Sequence, residues 1–518
     1  MKKLLVIEII YNNFMTNRPN ILYIQSDQHN PYIMGNSGDD VIETPNLDAL
    51  AERGTSFNNA YCASPICVPS RTSAITGLYP HESEIWTNDQ ILSSAIPTYA
   101  HSLGANGYDP VQIGRMHFNG TDQYHGFSKR LVGDHGRNHL GSPRSAGTHG
   151  KLHFTAGPNR ESLKFSGIGQ SAYQIHDQVV TKTTKEFLNS VDEKPFALSV
   201  GFMLPHQPFI AEKKDYYKYL GKVDDPKISS KTLEKYHPYI QWWKKRTGIE
   251  QVTEEEISRC RTAYYALVDR MDKMIGEIIN LLSDKDLLEN TIVIYTSDHG
   301  EQLGENGLWW KQTFYENSVK VPAIISWPKE LPMGQNLSSV INQYDLISTM
   351  LDATDSKSLP RSNGRSLLKH IKDPKSNIWE NIVFSEYCMD DANFESISGN
   401  LGGEDIHAKE GGVQNRMIRM DNWKLIFYNG YQSELYNLEK DPFEQHDLSH
   451  KDKYLNIKNK LEKLVLSNWD PDQISKRMRI LKQEQKIQIE WAKNTDPNDT
   501  LRWDLDPEKD STRLDTKT

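Results

Sequence analysis

Cys67 stands in the run Ser64-Pro65-Ile66-Cys67-Val68-Pro69-Ser70-Arg71, and the next stretch, Thr72-Ser73-Ala74-Ile75-Thr76-Gly77, reads as a short helix with a glycine stop. Proline is tolerated at a helix start, where its missing N–H costs nothing. The spacing puts Cys67 just ahead of that N-terminus, where free backbone N–H groups and the helix dipole favour an anion. A thiol so placed is a candidate nucleophile. Elsewhere Asp27, Arg115-x-His117, Pro205-His206 and Asp298 each follow an apolar run directly. Carboxylates can hold a cation, an arginine can clamp an anion and histidines can move protons, so the types present suit chemistry on an anionic substrate.

Four apolar runs must position these groups: Ile21 to Gln28, Pro110 to His117, Phe196 to Phe202 leading into Pro205-His206, and Thr291 to Gly300. Near-continuous apolar runs of this length read as strands covered on both faces, hence a mostly parallel sheet. Helical patterns lie between them, such as Leu47 to Gly54 and the long stretch Arg261 to Leu282. That alternation predicts an α/β fold, a large mostly parallel sheet flanked by helices. In open α/β sheets ligands gather beyond the carboxyl ends of the strands, which is where Asp27, His117, His206 and Asp298 fall.

The Cys-x-Pro-Ser-Arg run resembles the signature of type I sulfatases of the alkaline phosphatase superfamily, in which the cysteine is oxidised after synthesis to formylglycine. The resemblance covers about residues 18 to 450. It implies an alkaline-phosphatase-like fold, a hydrated aldehyde at position 67 as nucleophile, a formylglycine-generating maturation enzyme as partner and one divalent cation. Asp27 and Gln28 match the first metal-binding pair, and Asp298 and His299 the second, with Cys67 beside them. Arg71 matches the arginine that holds the formylglycine. Arg115 and His117 match a Lys-x-His motif, His206 a Pro-His motif, and Lys311, within Gly307 to Thr313, the sulfate-binding lysine. Gly364 to Leu367 and Glu434 to Glu444 look like C-terminal landmarks of the family. Ile96 to His101 and Gly114 to Phe118 are similar to choline-sulfatase-like members.

Three positions depart from the pattern. Gln28 replaces an aspartate and His299 an asparagine, which lowers the negative charge of the site and admits an imidazole. Ca²⁺, a hard ion preferring oxygen, is the expected cation, and Mn²⁺ the softer alternative. Arg115 replaces lysine, keeping the charge while offering a planar fork to sulfate oxygens.

Sulfuryl transfer from a monoester spreads negative charge over equatorial oxygens and builds it on the leaving alkoxide, so catalysis is positioning plus electrostatics. On that logic Arg71, Arg115 and Lys311 clamp charge, with Arg115, His206 and Lys311 as the substrate-binding set. His206 is the acid for the leaving alkoxide, and His117 the base for the second hydroxyl proton of the hydrate. Of the 17 histidines, His125, His135, His139, His149 and His153 read as surface or structural, and His101 and His407 stay outside the set.

Length and composition fit a large domain with a smaller one attached: 18–377 catalytic, 378–470 a small antiparallel α+β unit, and 471–518 a helical and extended tail. A net charge of −9 excludes binding a polyanion by bulk field, so nucleic acid is not a partner. Four cysteines give no disulfide framework, and no run approaches a membrane span. Lys2-Lys3 and Leu4 to Ile10 imitate a signal peptide, but Glu8 interrupts the core and no small-residue cleavage site follows. Met15 is an alternative start, and the compartment stays open between cytoplasm and periplasm. Residues 133 to 170 form a long Gly-, Ser-, His- and Arg-rich loop suited to a pocket wall, 210 to 255 a charged insertion, and the glycine-rich 398–403 and 411–412 loops that overhang the site. The expected substrate is a sulfated carbohydrate, since Trp- and Tyr-rich loops suit sugar stacking. The alternatives are a choline-O-sulfate-type ester and phosphonate or phosphate monoester hydrolysis on the same scaffold. A non-catalytic binding protein of this fold would have lost Cys67, Asp298 or His206, and all are present.

Overall fold

The computed structural model describes residues 18–516 except 136–137, 143–148, 193, 229–234, 377–378 and 390–412. The amino-terminal run, the glycine-rich 398–403 and 411–412 and His407 lie outside the described residues. The main sheet runs, in spatial order, through Gln335–Asn342, Thr55–Tyr61, Ala323–Ser326, Thr291–Ser297, Asn20–Asp27, Ala197–Pro205, Pro110–Gly114 and Lys129–Val132, with Lys320–Val321 beside Thr55–Tyr61. Most neighbours are parallel; Ala323–Ser326 runs antiparallel to both of its partners. The α/β architecture expected from the alternating runs is the one that forms.

Register explains why the site lies where it does. Asn20–Asp27 is buried along its whole length, as its unbroken apolar face requires, and pairs in parallel with Ala197–Pro205 and Thr291–Ser297. Because Ser26 is paired with Ser297, the next residues, Asp27 and Asp298, leave the sheet side by side. The third edge needs glycine. Gly114 is paired with Gly201, and a Cβ on Gly201 would sit 1.8 Å from the Arg115 carbonyl oxygen, so only this close approach lets Arg115 turn over the strand ends.

The helix carrying the cysteine spans Cys67–Thr76 and ends at Gly77, which takes the left-handed φ of 72° that suits glycine. It begins two residues earlier than the proline position suggests: Ile66 is the cap and Cys67 the first helical residue, so Pro69 sits within the first turn, where it removes no hydrogen bond. The long helix is Glu254–Asp284, closed at its start by a Thr253/Glu256 capping box. The described residues of the 210–255 stretch include the helices Lys213–Tyr219 and Pro238–Thr247, and the second buries Trp242 and Trp243.

Four antiparallel strands, Ile382–Met389, Val413–Met420, Trp423–Tyr428 and Glu434–Asn437, make a separate small sheet, backed by Leu461 and Val465 of the Leu455–Leu466 helix. The Pro471–Thr495 helix follows, and the last residues return to the main body. There Arg513–Leu514 pairs with Gly167–Gln170, which pairs in turn with Ile210–Ala211. Among the described residues no helix is long and apolar enough to cross a membrane. Cys62, Cys67, Cys260 and Cys388 are all free and buried.

Candidate active site

One ligand atom each from Asp27, Cys67, Asp298 and His299 lies within 4.8 Å of the other three, and all four residues are buried. Cys67 Sγ is 3.3 Å from His299 Nε2, 3.5 Å from Lys311 Nζ and 3.9 Å from Asp27 Oδ1. His299 Nδ1 lies 3.0 Å from the Gly300 carbonyl, which only accepts, so Nδ1 carries the proton and the Nε2 lone pair faces the group. Burial pushes the pKa of His299 down to about 4, so the ring is neutral. Burial alone would raise the carboxyl of Asp27, but Arg115, then His206, Arg71 and Lys311, hold it well below its ordinary range. Two carboxylates, a neutral imidazole and a thiol suit a divalent cation.

Arg71 locks the two aspartates. Its Nε donates to Asp298 Oδ2 at 2.9 Å, Nη2 to Asp27 Oδ2 at 3.3 Å and the Ser26 carbonyl at 3.1 Å, and Nη1 to Gln25 Oε1 and the Arg115 carbonyl, both at 3.2 Å. All five N–H groups are thus used within the protein. The sequence resemblance gave Arg71 to the matured cysteine; the N–H groups of its guanidinium go to the two aspartates, Gln25 and two main-chain carbonyls.

Arg115 Nε reaches Asp27 Oδ2 at 2.6 Å, and its Nη2 donates at 2.9 Å to His117 Nδ1. A guanidinium only donates, so His117 holds its proton on Nε2; burial, then Arg115, keeps its pKa well below the usual imidazole value. His117 has a φ of 61°, and Asp134 holds that turn by accepting from the main-chain N–H of Met116 and His117 at 2.8 and 2.5 Å. Lys311 Nζ donates to Gln28 Oε1 at 2.6 Å and contacts His206 Nε2 at 2.8 Å. Gln28 gives its side-chain N–H groups to Gln207 Oε1, at 2.6 Å, and to Glu301 Oε2, and its main-chain N–H to Asp298 Oδ1 at 3.0 Å. Every residue singled out from the sequence therefore falls in one connected cluster.

Two supports were not visible in the sequence. Asp134 lies in the irregular loop, and nothing in its spacing marks it. Glu301, just past the Asp298-His299 pair, accepts from the main-chain N–H of Leu303 and Trp310 at 2.8 and 2.7 Å while touching Gln28, so it fixes the turn that carries Lys311. Burial pushes its carboxyl up to about 7.

The cluster floors a cavity of about 290 Å³ whose walls include Asn88, His135, His149, His153, Tyr173, Trp243 and Tyr387. This corrects the sequence reading of three histidines: His135, His149 and His153 line the cavity. His125 is buried against Phe118, with ring centroids 4.5 Å apart, and His139 meets Trp491 edge-on at 5.3 Å, both structural. His101 caps its own helix, its Nδ1 accepting from the Thr98 N–H at 3.1 Å.

The sulfatase family model matches residues 19–356, and a model described as N-sulphoglucosamine sulphohydrolase, C-terminal, matches residues 304–469. The chain is 31% identical to the choline-sulfatase of Rhizobium meliloti (strain 1021), over 84% of this chain and 83% of that one. It is 28% identical to arylsulfatase K of Gallus gallus, over 95% and 90%. In fold it is similar to the phosphonate monoester hydrolase of Agrobacterium radiobacter, at a TM-score of 0.72 and 22% identity over 87% and 95% of the two chains. A protein solved in complex with its substrate D-glucosamine-2-N,6-O-disulfate gives 0.67 and 21% over 89% and 98%. The chain belongs to the sulfatase family of the alkaline phosphatase superfamily. It is a sulfuric ester hydrolase.

Proposed function

We propose that this sulfatase acts through a formylglycine made from Cys67 and that its substrate is a sulfated carbohydrate. The observation that carries the first part is the position of Cys67 Sγ on the first turn of a helix, at the cavity floor, with His299, Lys311 and Asp27 around it. The thiol stands in for a hydroxyl of the hydrated aldehyde, the oxygen nucleophile that maturation supplies. Asp27, Asp298, His299 and position 67 would hold a divalent cation, Ca²⁺ by the hardness of the carboxylates with Mn²⁺ as alternative, with Gln28 bordering it; when bound, it polarises the sulfate and acidifies that hydroxyl.

The remaining residues divide the work by their contacts. Arg115 and Lys311 line the cavity and clamp the equatorial oxygens, whereas Arg71, fully engaged, keeps the carboxylates in place. His206 and Lys311 are the source of the proton for the leaving alkoxide. His117 starts with Nδ1 held by Arg115 and its proton on Nε2, so it begins as a donor; the base role requires Nδ1 to be released.

Mass spectrometry of the peptide containing position 67, from cells with a maturation enzyme, should show sulfur lost and oxygen gained. A fully active preparation carrying only thiol there would refute the reading. Sulfate release from algal and animal oligosaccharides, beside choline sulfate and a phosphonate monoester, tests the substrate. The choline-sulfate reading is kept because that relative is 31% identical over most of both chains.

A further inference from the structure

Lys311 sits on a turn that needs support from outside. The residues on either side of it, Trp310 and Gln312, have φ of 62° and 71°, in the left-handed region that bulky side chains rarely enter. Such a backbone persists only where its surroundings over-determine it. Part of the support is local. Glu301 accepts from the Trp310 N–H at 2.7 Å, the Trp310 carbonyl accepts from the Gln302 N–H at 2.8 Å, and the Gln312 N–H donates to the Pro65 carbonyl, two residues before Cys67, at 3.1 Å.

Further support comes from the 236–244 stretch of the charged insertion. The Tyr239 hydroxyl donates to the Gln312 carbonyl at 2.8 Å, Lys244 Nζ to the Gly307 carbonyl at 2.8 Å, and the Tyr236 hydroxyl to the Asn306 carbonyl at 2.6 Å. Each of these donors meets a main-chain oxygen, so together they fix the path of the backbone that carries Lys311. Tyr239 and Lys244 share the Pro238–Thr247 helix with Trp243, which lines the cavity beside Lys311. That helix is braced in turn. Tyr239 is fully buried, and Tyr428 of the small sheet packs 5.7 Å from its ring and stacks on His237 at 3.7 Å. We propose that Tyr239 and Lys244 are positioning residues for Lys311, through which the insertion helix, and behind it the C-terminal sheet, aims the sulfate-binding lysine. The inference rests on the clamping role given to Lys311 above.

The test is a double-mutant cycle on matured, metal-loaded enzyme with 4-nitrophenyl sulfate. Tyr239→Phe removes one hydroxyl and keeps the ring. It should lower kcat/KM about 5- to 50-fold in the wild-type background, since a small misplacement of a clamping group is costly. In the Lys311→Met background no amine is left to misplace, and the same change should cost less than about twofold. Tyr265→Phe loses a hydroxyl bond to Asp39 Oδ2, 2.6 Å long, at a different cavity; it controls for lost stability and should leave kcat/KM unchanged. Lys244→Met should follow Tyr239→Phe in both backgrounds, and it decides the matter if Tyr239→Phe does not fold. Equal losses in the two backgrounds, or no loss in the wild-type one, would overturn the inference alone. A Lys311→Met enzyme that turns over like wild type would overturn the role of Lys311 with it.

Discussion

Lys311 Nζ lies 2.8 Å from His206 Nε2, and because an ammonium only donates, His206 accepts there. Its other nitrogen, Nδ1, donates to the Gln207 carbonyl at 2.6 Å. The imidazole is therefore neutral at rest, and the proton for a leaving alkoxide belongs to the pair. His206→Ala should lower turnover of alkyl sulfates by a factor on the order of 100 to 10,000, and that of 4-nitrophenyl sulfate far less, since a nitrophenolate leaves without a proton. Equal losses on both esters would show that His206 does not serve the leaving group.

The same contact fixes the sign of a pH effect. Burial, then Lys311, lowers the pKa of His206. Replacing Lys311 by Met removes the positive neighbour, so the pKa of His206 rises. A profile of kcat/KM against pH that needs protonated His206 should then extend its basic limb to higher pH, at a lower plateau. Movement to lower pH would reverse the assignment.

How much of this was legible in the sequence depends on how local the signal is. The strand ends could be read because a buried parallel strand must be apolar throughout and then stop, and the Ser26–Ser297 register turned two separate Ser-Asp endings into one site. The cysteine run was legible because proline, arginine and a terminal glycine mark a helix start and stop within a dozen residues. Asp134, His135 and Trp503 were not, since their roles come from an irregular loop clasped by a segment more than 350 residues further along the chain. Arg71 shows the intermediate case: its type and place were legible, whereas its five partners depend on three strands meeting at one end.

Asp298 serves two groups at once, which separates two variants. Its Oδ2 accepts from Arg71 Nε at 2.9 Å, both side chains being buried. Asp298→Ala should destabilise the fold by about 3–5 kcal/mol, because it strands part of a buried guanidinium. Asp298→Asn keeps the shape and an acceptor, so its melting temperature should drop less. Both should lose bound divalent cation, counted by elemental analysis per chain, together with turnover. Full metal content and activity in Asp298→Asn after chelation would remove Asp298 from the metal site.

Asp345, away from the cluster, gives a pH signature of stability. It accepts from the main-chain N–H of Asn342 and Arg365, each at 2.8 Å, but burial outweighs these and Arg365 and pushes its carboxyl from 3.8 up to about 6. The folded chain binds this proton more tightly than the unfolded chain, so stability falls as pH rises from about 4 to about 6. The drop is about 3 kcal/mol at 1.36 kcal/mol per pKa unit. Denaturant titrations of Asp345→Asn should be flatter across that interval than those of wild type. An identical slope would show that the Asp345 proton is not linked to folding.

Trp503 should matter to the cavity although it touches neither the cysteine nor the carboxylates. It meets His135 at 5.5 Å and His176 at 5.1 Å, both edge-on. The segment around it is fastened by the Asp134–Arg502 bridge, by Asn138, whose N–H donates to Asp499 Oδ1 at 3.0 Å, and by the Arg513–Leu514 strand. Trp503→Ala removes a half-buried aromatic from the back of the wall and should cost on the order of 2 kcal/mol in thermal or denaturant unfolding. Because the wall carries His135 and His149, KM for a sulfated disaccharide should rise several-fold. Metal content should hold, since Asp27, Asp298 and His299 stand on the central strand ends. A loss of metal as large as the rise in KM would mean that the tail supports the whole site, and not the wall alone.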